Sequence, residues 1–421
     1  MEKEKTIFNY IKMNGVHHMT LKEFNIIENQ LINEYAGYFD KKELITQFPS
    51  KISNISEEEF YFYMTKYLNK FHDPHLKLIE LNGLYPNIRV QLYNDQIYVI
   101  DSRNPQIPTG TVIHNLGSYS IDYILENDHD LLKSSNPERM EWSDVLKKYK
   151  YIVSDSKEIS ILQKDKPDFF EQSYIIENKH TYIYLKFTDF IDHLKISNLI
   201  DKHKNLLLNA NQIIIDVRGN RGGSDLAYLK LLPYLTSESI TITDDTPYYH
   251  RFTKAYCDER IHAISELIKQ MPDSDDLDEY KSILNLYKDN YDKGLVNINN
   301  NPEPDTIKGI QEKCPDVKVL ADFECGSSGD NFVKFAHEFK NIEIIGRPTK
   351  GMNDYSNVMF VDINGKYKLS VPHSKDGNVD LGKSMGKTGI PVDHYIPWTP
   401  EELEKDIILE TAINRFTSHY S

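Results

Sequence analysis

Cysteine is scarce in this chain: three residues, at 257, 314 and 325, among 421. That number gives no disulfide framework, and free thiols suit a reducing compartment. Long apolar runs are missing too, so no membrane-spanning helix is expected. The charged opening Met1-Glu2-Lys3-Glu4-Lys5 leads into no apolar stretch, so a signal peptide is not expected and a cytoplasmic location is. Basic charge is in deficit, with 49 Lys and Arg against 64 Asp and Glu and a formal net charge of −15. A chain of that sign is poorly matched to nucleic acid or an anionic membrane surface, and neither is expected as a partner. Metal-ligand spacings are lacking as well. The adjacent His17-His18 pair has no further ligands near it in sequence, and no metal or cofactor is expected. No internal repeat or low-complexity tract stands out.

Two glycine-containing stretches carry the information. Ile213-Ile214-Ile215 reads as a buried parallel strand and runs into Asp216-Val217-Arg218-Gly219-Asn220-Arg221-Gly222-Gly223. A second apolar run, Val317-Lys318-Val319-Leu320-Ala321, leads to Cys325-Gly326-Ser327-Ser328-Gly329-Asp330 and a helical segment, Asn331 to Lys340. A serine at such a strand-to-helix junction lies near the positive end of a helix, where unpaired backbone N–H groups can stabilise an oxyanion. A glycine-rich turn after a neighbouring strand can supply a second donor, because glycine lets the backbone approach closely. These are the parts of a serine hydrolase. Cys325 is a rival nucleophile, since a thiolate attacks more readily than a hydroxyl. A cysteine near a strand end is more often an inert core residue, and Ser327 is preferred.

The ordered set resembles the S41 family of serine peptidases, the C-terminal processing and tricorn-like proteases. The family's Asp-x-Arg-x-Asn-x-Gly-Gly strand end is met by Asp216, Arg218, Asn220, Gly222 and Gly223. Its nucleophilic Ser with an acid at the third following position is met by Ser327 and Asp330. Ile344 to Gly351 resembles the strand and turn after the nucleophile helix, and Gly389-Ile390-Pro391-Val392-Asp393 the closing segment with Pro and Val exchanged. The resemblance covers about 180 to 415 well and 20 to 125 more loosely. It implies an α/β fold with a ClpP/crotonase-like spiral core and a peptide or protein substrate. It also implies an oxyanion hole from the amides of Gly223 and Ser328, while Arg218 and Asn220 brace the loop. Assembly into a homo-oligomer is left open.

The general base departs from the processing-protease pattern. The slot for that branch's lysine falls on Met352, which accepts no proton, and Lys350 lies two residues too early. The tricorn-like branch uses a histidine from the N-terminal part, and Phe71-His72-Asp73-Pro74-His75-Leu76-Lys77-Leu78 matches that segment. His75 is therefore read as the base, with His72 one position outside the motif. An imidazole with an ordinary pKa near ~6.5 would give an activity rise at roughly pH 6 to 7. The tetrad's Ser and Glu are replaced here by Pro74 and about Gly386. The group orienting His75 is left unassigned, with Asp73, Asp354 and Asp376 available by type.

Three regions are expected: a helical one at 1–80, a small β-rich cap at 81–175 and the catalytic core at 176–421. The cap is like a degenerate PDZ domain whose Gly-Leu-Gly-type loop is missing. An acidic helical insertion is expected at about 258–310, between the two motif loops. Function classes are a Ser327–His75 peptidase and a catalytically silent peptide-binding or scaffold protein. An acyl-transfer enzyme is a third, on fold analogy alone.

Overall fold

The computed structural model describes residues 18–19, 21–49, 55–154, 157–270, 277–299 and 304–417. The start of the chain, His17 and the acidic stretch 271–276 lie outside the described residues.

The central sheet has six strands, in the order Tyr174–Asn178, Ile183–Phe187, Gln212–Asp216, Asp316–Ala321, Ile342–Gly346 and His394–Tyr395. The first pair is antiparallel and all later pairings are parallel. Both faces are covered, which is why these strands read as unbroken apolar runs. Ile213 and Ile215 enter the larger core with Phe332 and Val333 of the helix Ser328–Ala336. Ile214 points to the other face, into a cluster with Leu320, Ile345, Ile408 and Phe416 around the helix Ile407–Thr417. The protein thus has an α/β fold, and both motif loops leave the carboxyl ends of adjacent parallel strands, where open α/β sheets place ligands.

After the glycine loop a short helix, Leu226–Leu229, is followed by a 3-10 turn Leu232–Leu235 containing Pro233. Proline has no N–H to continue the ladder. The helix after Ser327 ends at Ala336, not near Lys340.

Near the N-terminus the helices Leu21–Asn33 and Glu57–Asn69 pack Phe24 and Phe60 edge to face at 5.1 Å. Ser56 starts the second helix with a capping box. Its Oγ accepts from Glu59 N at 3.2 Å, and the Glu59 carboxylate accepts from Ser56 N at 2.9 Å. The chain then turns through His72–Leu76 into the strand Lys77–Glu80, which pairs with Tyr367–Ser370. That pairing carries His75 across to the core. Residues 85–154 and 157–163 form small sheets and the helices Ile121–Asn127 and Ser143–Tyr149 around their own apolar cluster. Between the two motif loops stand the helices Lys254–Gln270 and Leu277–Asp289 and the strands Gly294–Asn297 and Asp305–Lys308.

Candidate active site

Ser327 sits on a sharp turn with φ 59° and ψ −121°. Such a backbone is costly for a residue with a Cβ and persists only where the surroundings fix it. Here they do. Gly326 N donates to Asn220 O at 2.8 Å, and Asn353 Nδ2 donates to Ser327 O at 2.7 Å.

Asp330 is the hub. Its fully buried carboxylate accepts from Ser327 N (2.7 Å) and Met352 N (2.8 Å) on one oxygen. The other oxygen accepts from Thr349 Oγ1 (2.5 Å) and Gly351 N (2.8 Å). Burial raises its pKa, opposed by those four donors. The acid three residues after Ser327 thus ties the Ser327 turn to the loop 349–352. Thr349 Oγ1 in turn accepts from Ile390 N at 2.9 Å, joining the closing segment to the same point. Asp330→Ala strands four donors, so a loss on the order of 3–5 kcal/mol is expected, read from the denaturation midpoint. Asp330→Asn should fail similarly, because its amide N–H₂ would face donors.

The glycine loop is braced from the opposite side. Arg218 forks onto Asp216 at 2.9 and 2.7 Å and onto Asp406 at 2.6 and 2.7 Å. Asn220 Nδ2 donates to Phe187 O at 2.9 Å, and its Oδ1 accepts from Gly222 N at 2.9 Å. Neither side chain is free for a substrate. Gly222 has φ 82°, and a Cβ there would lie 2.5 Å from Ser327 Cβ and 2.9 Å from its Oγ. Gly223 forms a bridge with Phe190, through Phe190 N to Gly222 O (2.8 Å) and Ser224 N to Phe190 O (2.9 Å). The Gly223 N–H therefore points away from Phe190, and it has no acceptor among the described residues. Gly223 O accepts from Ser328 Oγ at 2.9 Å, so these two residues face one another. Ser328 opens its helix, where N–H groups have no intrahelical partner.

His75 meets this assembly from the N-terminal region. Its Nδ1 lies 3.0 Å from Met352 O and 2.7 Å from Tyr355 O. Carbonyl oxygens only accept, so Nδ1 carries the proton and Nε2 the lone pair. Among the described residues no carboxylate is hydrogen-bonded to the ring. Asp73 accepts from the His75 main-chain N at 2.9 Å. Asp354 is taken up by Ser384 Oγ, Met385 N (2.8 Å) and Gly386 N (3.0 Å), and Asp376 accepts from Asn378 N at 2.7 Å. The orienting groups are main-chain carbonyls, which no reading of side-chain types could find. Burial lowers the His75 pKa to about 4, opposed by the Tyr355 and Met352 carbonyls and helped by the Lys77 and Lys350 charges. The ordinary histidine value expected from the sequence is thus replaced by a much lower one. His72 lies outside this arrangement, exposed at a positive φ of 50°.

The model for peptidase family S41 matches residues 181–396. The chain belongs to peptidase family S41. Among solved structures, mature CPAF superposes with a TM-score of 0.59 at 14% identity, covering 93% of this chain and 95% of that one. CPAF complexed with lactacystin gives 0.58 at 13%, covering 94% and 97%. The photosystem II D1 C-terminal processing protease gives 0.45 at 12%, covering 94% and 96%. At these identities the likeness to CPAF is one of fold. No curated protein matches the sequence significantly.

Within this S41 fold Met352 lies against the Ser327 turn, its Sδ 2.7 Å from where a Cβ on Gly326 would stand. Lys350 turns elsewhere. Its ammonium pairs with Glu141 at 3.1 Å, while its N–H donates to Cys325 O at 2.6 Å. Cys325 is fully buried, and burial holds its thiol pKa well above the usual range, so it stays protonated. A cavity of about 650 Å³ is lined by Arg89, Glu141, Trp142, Arg221, Phe323, Glu324 and Lys350, and neither Ser327 nor His75 lines it. Arg139 donates to Thr349 O and Lys350 O at 2.8 Å each. Among the described residues no group of His, Cys, Asp and Glu is placed to hold a metal ion, and no helix is long and apolar enough to cross a membrane.

Proposed function

We propose that this S41 member is a serine peptidase of the tricorn-like type, hydrolysing peptide bonds with Ser327 as nucleophile and His75 as general base. The observation that carries the reading is the His75 ring, fixed through Nδ1 to the Met352 and Tyr355 carbonyls with Nε2 left as an acceptor. Those carbonyls belong to the loop that Asp330 ties to Ser327. The Ser327 Oγ attacks the substrate carbonyl carbon while Nε2 takes its proton. The oxyanion forms against the N–H groups of Gly223 and Ser328. Imidazolium then protonates the leaving amine, and water releases the acyl group by the same steps in reverse. Carbonyl acceptors hold the imidazole in the productive tautomer but supply no full negative charge to the imidazolium. A slower enzyme than one with a buried carboxylate partner is expected.

The substrate is a peptide or protein. A cytoplasmic setting fits the three free cysteines, two of them buried. Turnover of a broad peptide library between pH 4 and 9 tests the reading. Hydrolysis of any member supports it. Binding without turnover at every pH would instead make the chain a silent peptide-binding relative, the reading favoured by Met352 in the lysine slot.

A further inference from the structure

The loop 349–352 is gripped from two sides. Its peptide units are trans, so each points its C=O and its N–H in opposite directions and can be held at both ends. In the unit joining Thr349 to Lys350, the carbonyl accepts from Arg139 Nη1 at 2.8 Å and the N–H donates to Cys325 O at 2.6 Å. In the next unit the Lys350 carbonyl accepts from Arg139 Nη2 at 2.8 Å, and the Gly351 N–H donates to Asp330 at 2.8 Å. Met352 follows directly, its N–H on Asp330 at 2.8 Å and its carbonyl 3.0 Å from His75 Nδ1. One guanidinium thus sets two successive peptide planes, opposed by the segment around Ser327, just before the chain reaches His75.

Arg139 comes from outside the central core. It ends the 3-10 turn Pro137–Arg139, in the region built from residues 85–154 and 157–163. That turn is itself anchored. Gln91 Nε2 donates to Pro137 O at 2.8 Å, and the Glu138 carboxylate accepts from Trp398 N at 2.5 Å. The Arg139 guanidinium lies 4.8 Å from the centre of the Phe323 ring, and among the described residues it forms no ion pair with a carboxylate. Its donors are spent on two main-chain carbonyls, a geometry that a planar fork can meet and a lysine ammonium cannot.

We propose that Arg139 is a positioning residue for the reaction: through the loop 349–352 it holds the Met352 carbonyl against His75 and keeps that loop seated on the Ser327 turn. This rests on the serine-peptidase reading, and the test separates the two. Hydrogen exchange read by mass spectrometry compares wild type with Arg139→Met and Arg139→Lys over the segment 349–353. Its amides should exchange about tenfold faster in both variants, while the strands of the central sheet keep wild-type protection. With a peptide that the wild type cleaves, kcat should fall about ten- to hundredfold in both variants, the scale of a small misplacement of reacting groups. KM should stay within about twofold, because Arg139 is not part of the cavity lining and is assigned no contact with substrate. Unchanged exchange in the segment, or faster exchange across the whole central sheet, would overturn the proposal. So would a locally loosened segment with kcat intact, or an Arg139→Lys protein that matches wild type in both readouts. Faster exchange confined to the segment, with no peptide cleaved even by the wild type, would overturn the enzyme reading and leave the loop's dependence on Arg139 standing.

Discussion

Ser327→Ala is expected to abolish hydrolysis of any peptide the wild type cleaves, with a fall in kcat of roughly 10⁶, the scale of losing a serine nucleophile. The fold should be untouched. The main-chain bonds that hold the turn, Ser327 N to Asp330 and Asn353 to Ser327 O, do not use the hydroxyl. Thermal midpoints of variant and wild type should therefore agree, and peptide affinity should persist. Cys325→Ala should keep most activity, because that thiol is buried, protonated and packed towards Gly329. Substantial turnover by Ser327→Ala would move the nucleophile to another residue.

His75→Gln should lower kcat by about 10² to 10⁴, the range for losing general-base help, with little change in peptide affinity. Glutamine cannot take the serine proton at neutral pH. The pH profile is the sharper readout. Neutral imidazole is the active form, and with its pKa near 4 the wild type should be at full rate by pH 6 and fall only as the pH drops towards 4. Stability follows the same sign. A histidine whose folded pKa lies below its unfolded value stabilises fully above about 6.5, and that contribution is lost as pH falls through 4. Asp73 acts oppositely. Burial raises its pKa to about 7, so its contribution is present below its unfolded value and lost as pH rises through 7. Circular dichroism recorded with the rates separates loss of the base from acid unfolding. A rise centred at 6 to 7 would mean that the ring is more solvated than its packing implies.

The parallel strands and the two motif loops were legible because local sequence decides them. An apolar run such as Ile213–Ile215 is explained only by burial on both faces, and glycines and Asp330 stand where the backbone needs them. The setting of His75 was not readable. Its partners lie 277 and 280 residues away in sequence and act through main-chain oxygens, so no side chain announces them. Sequence reasoning looked for a carboxylate and found three aspartates, each of which proved to be engaged elsewhere. The shift of the histidine pKa was hidden likewise, since burial depends on strands that close around the ring from both ends of the chain.

Reaction with a fluorophosphonate, mapped by mass spectrometry, tests the central claim most directly, because the probe needs an activated serine and no knowledge of the substrate. The account predicts one adduct, on Ser327, absent from Ser327→Ala and formed much more slowly in His75→Gln. Labelling of a different serine, or a Ser327 that reacts at the same rate without His75, would contradict it.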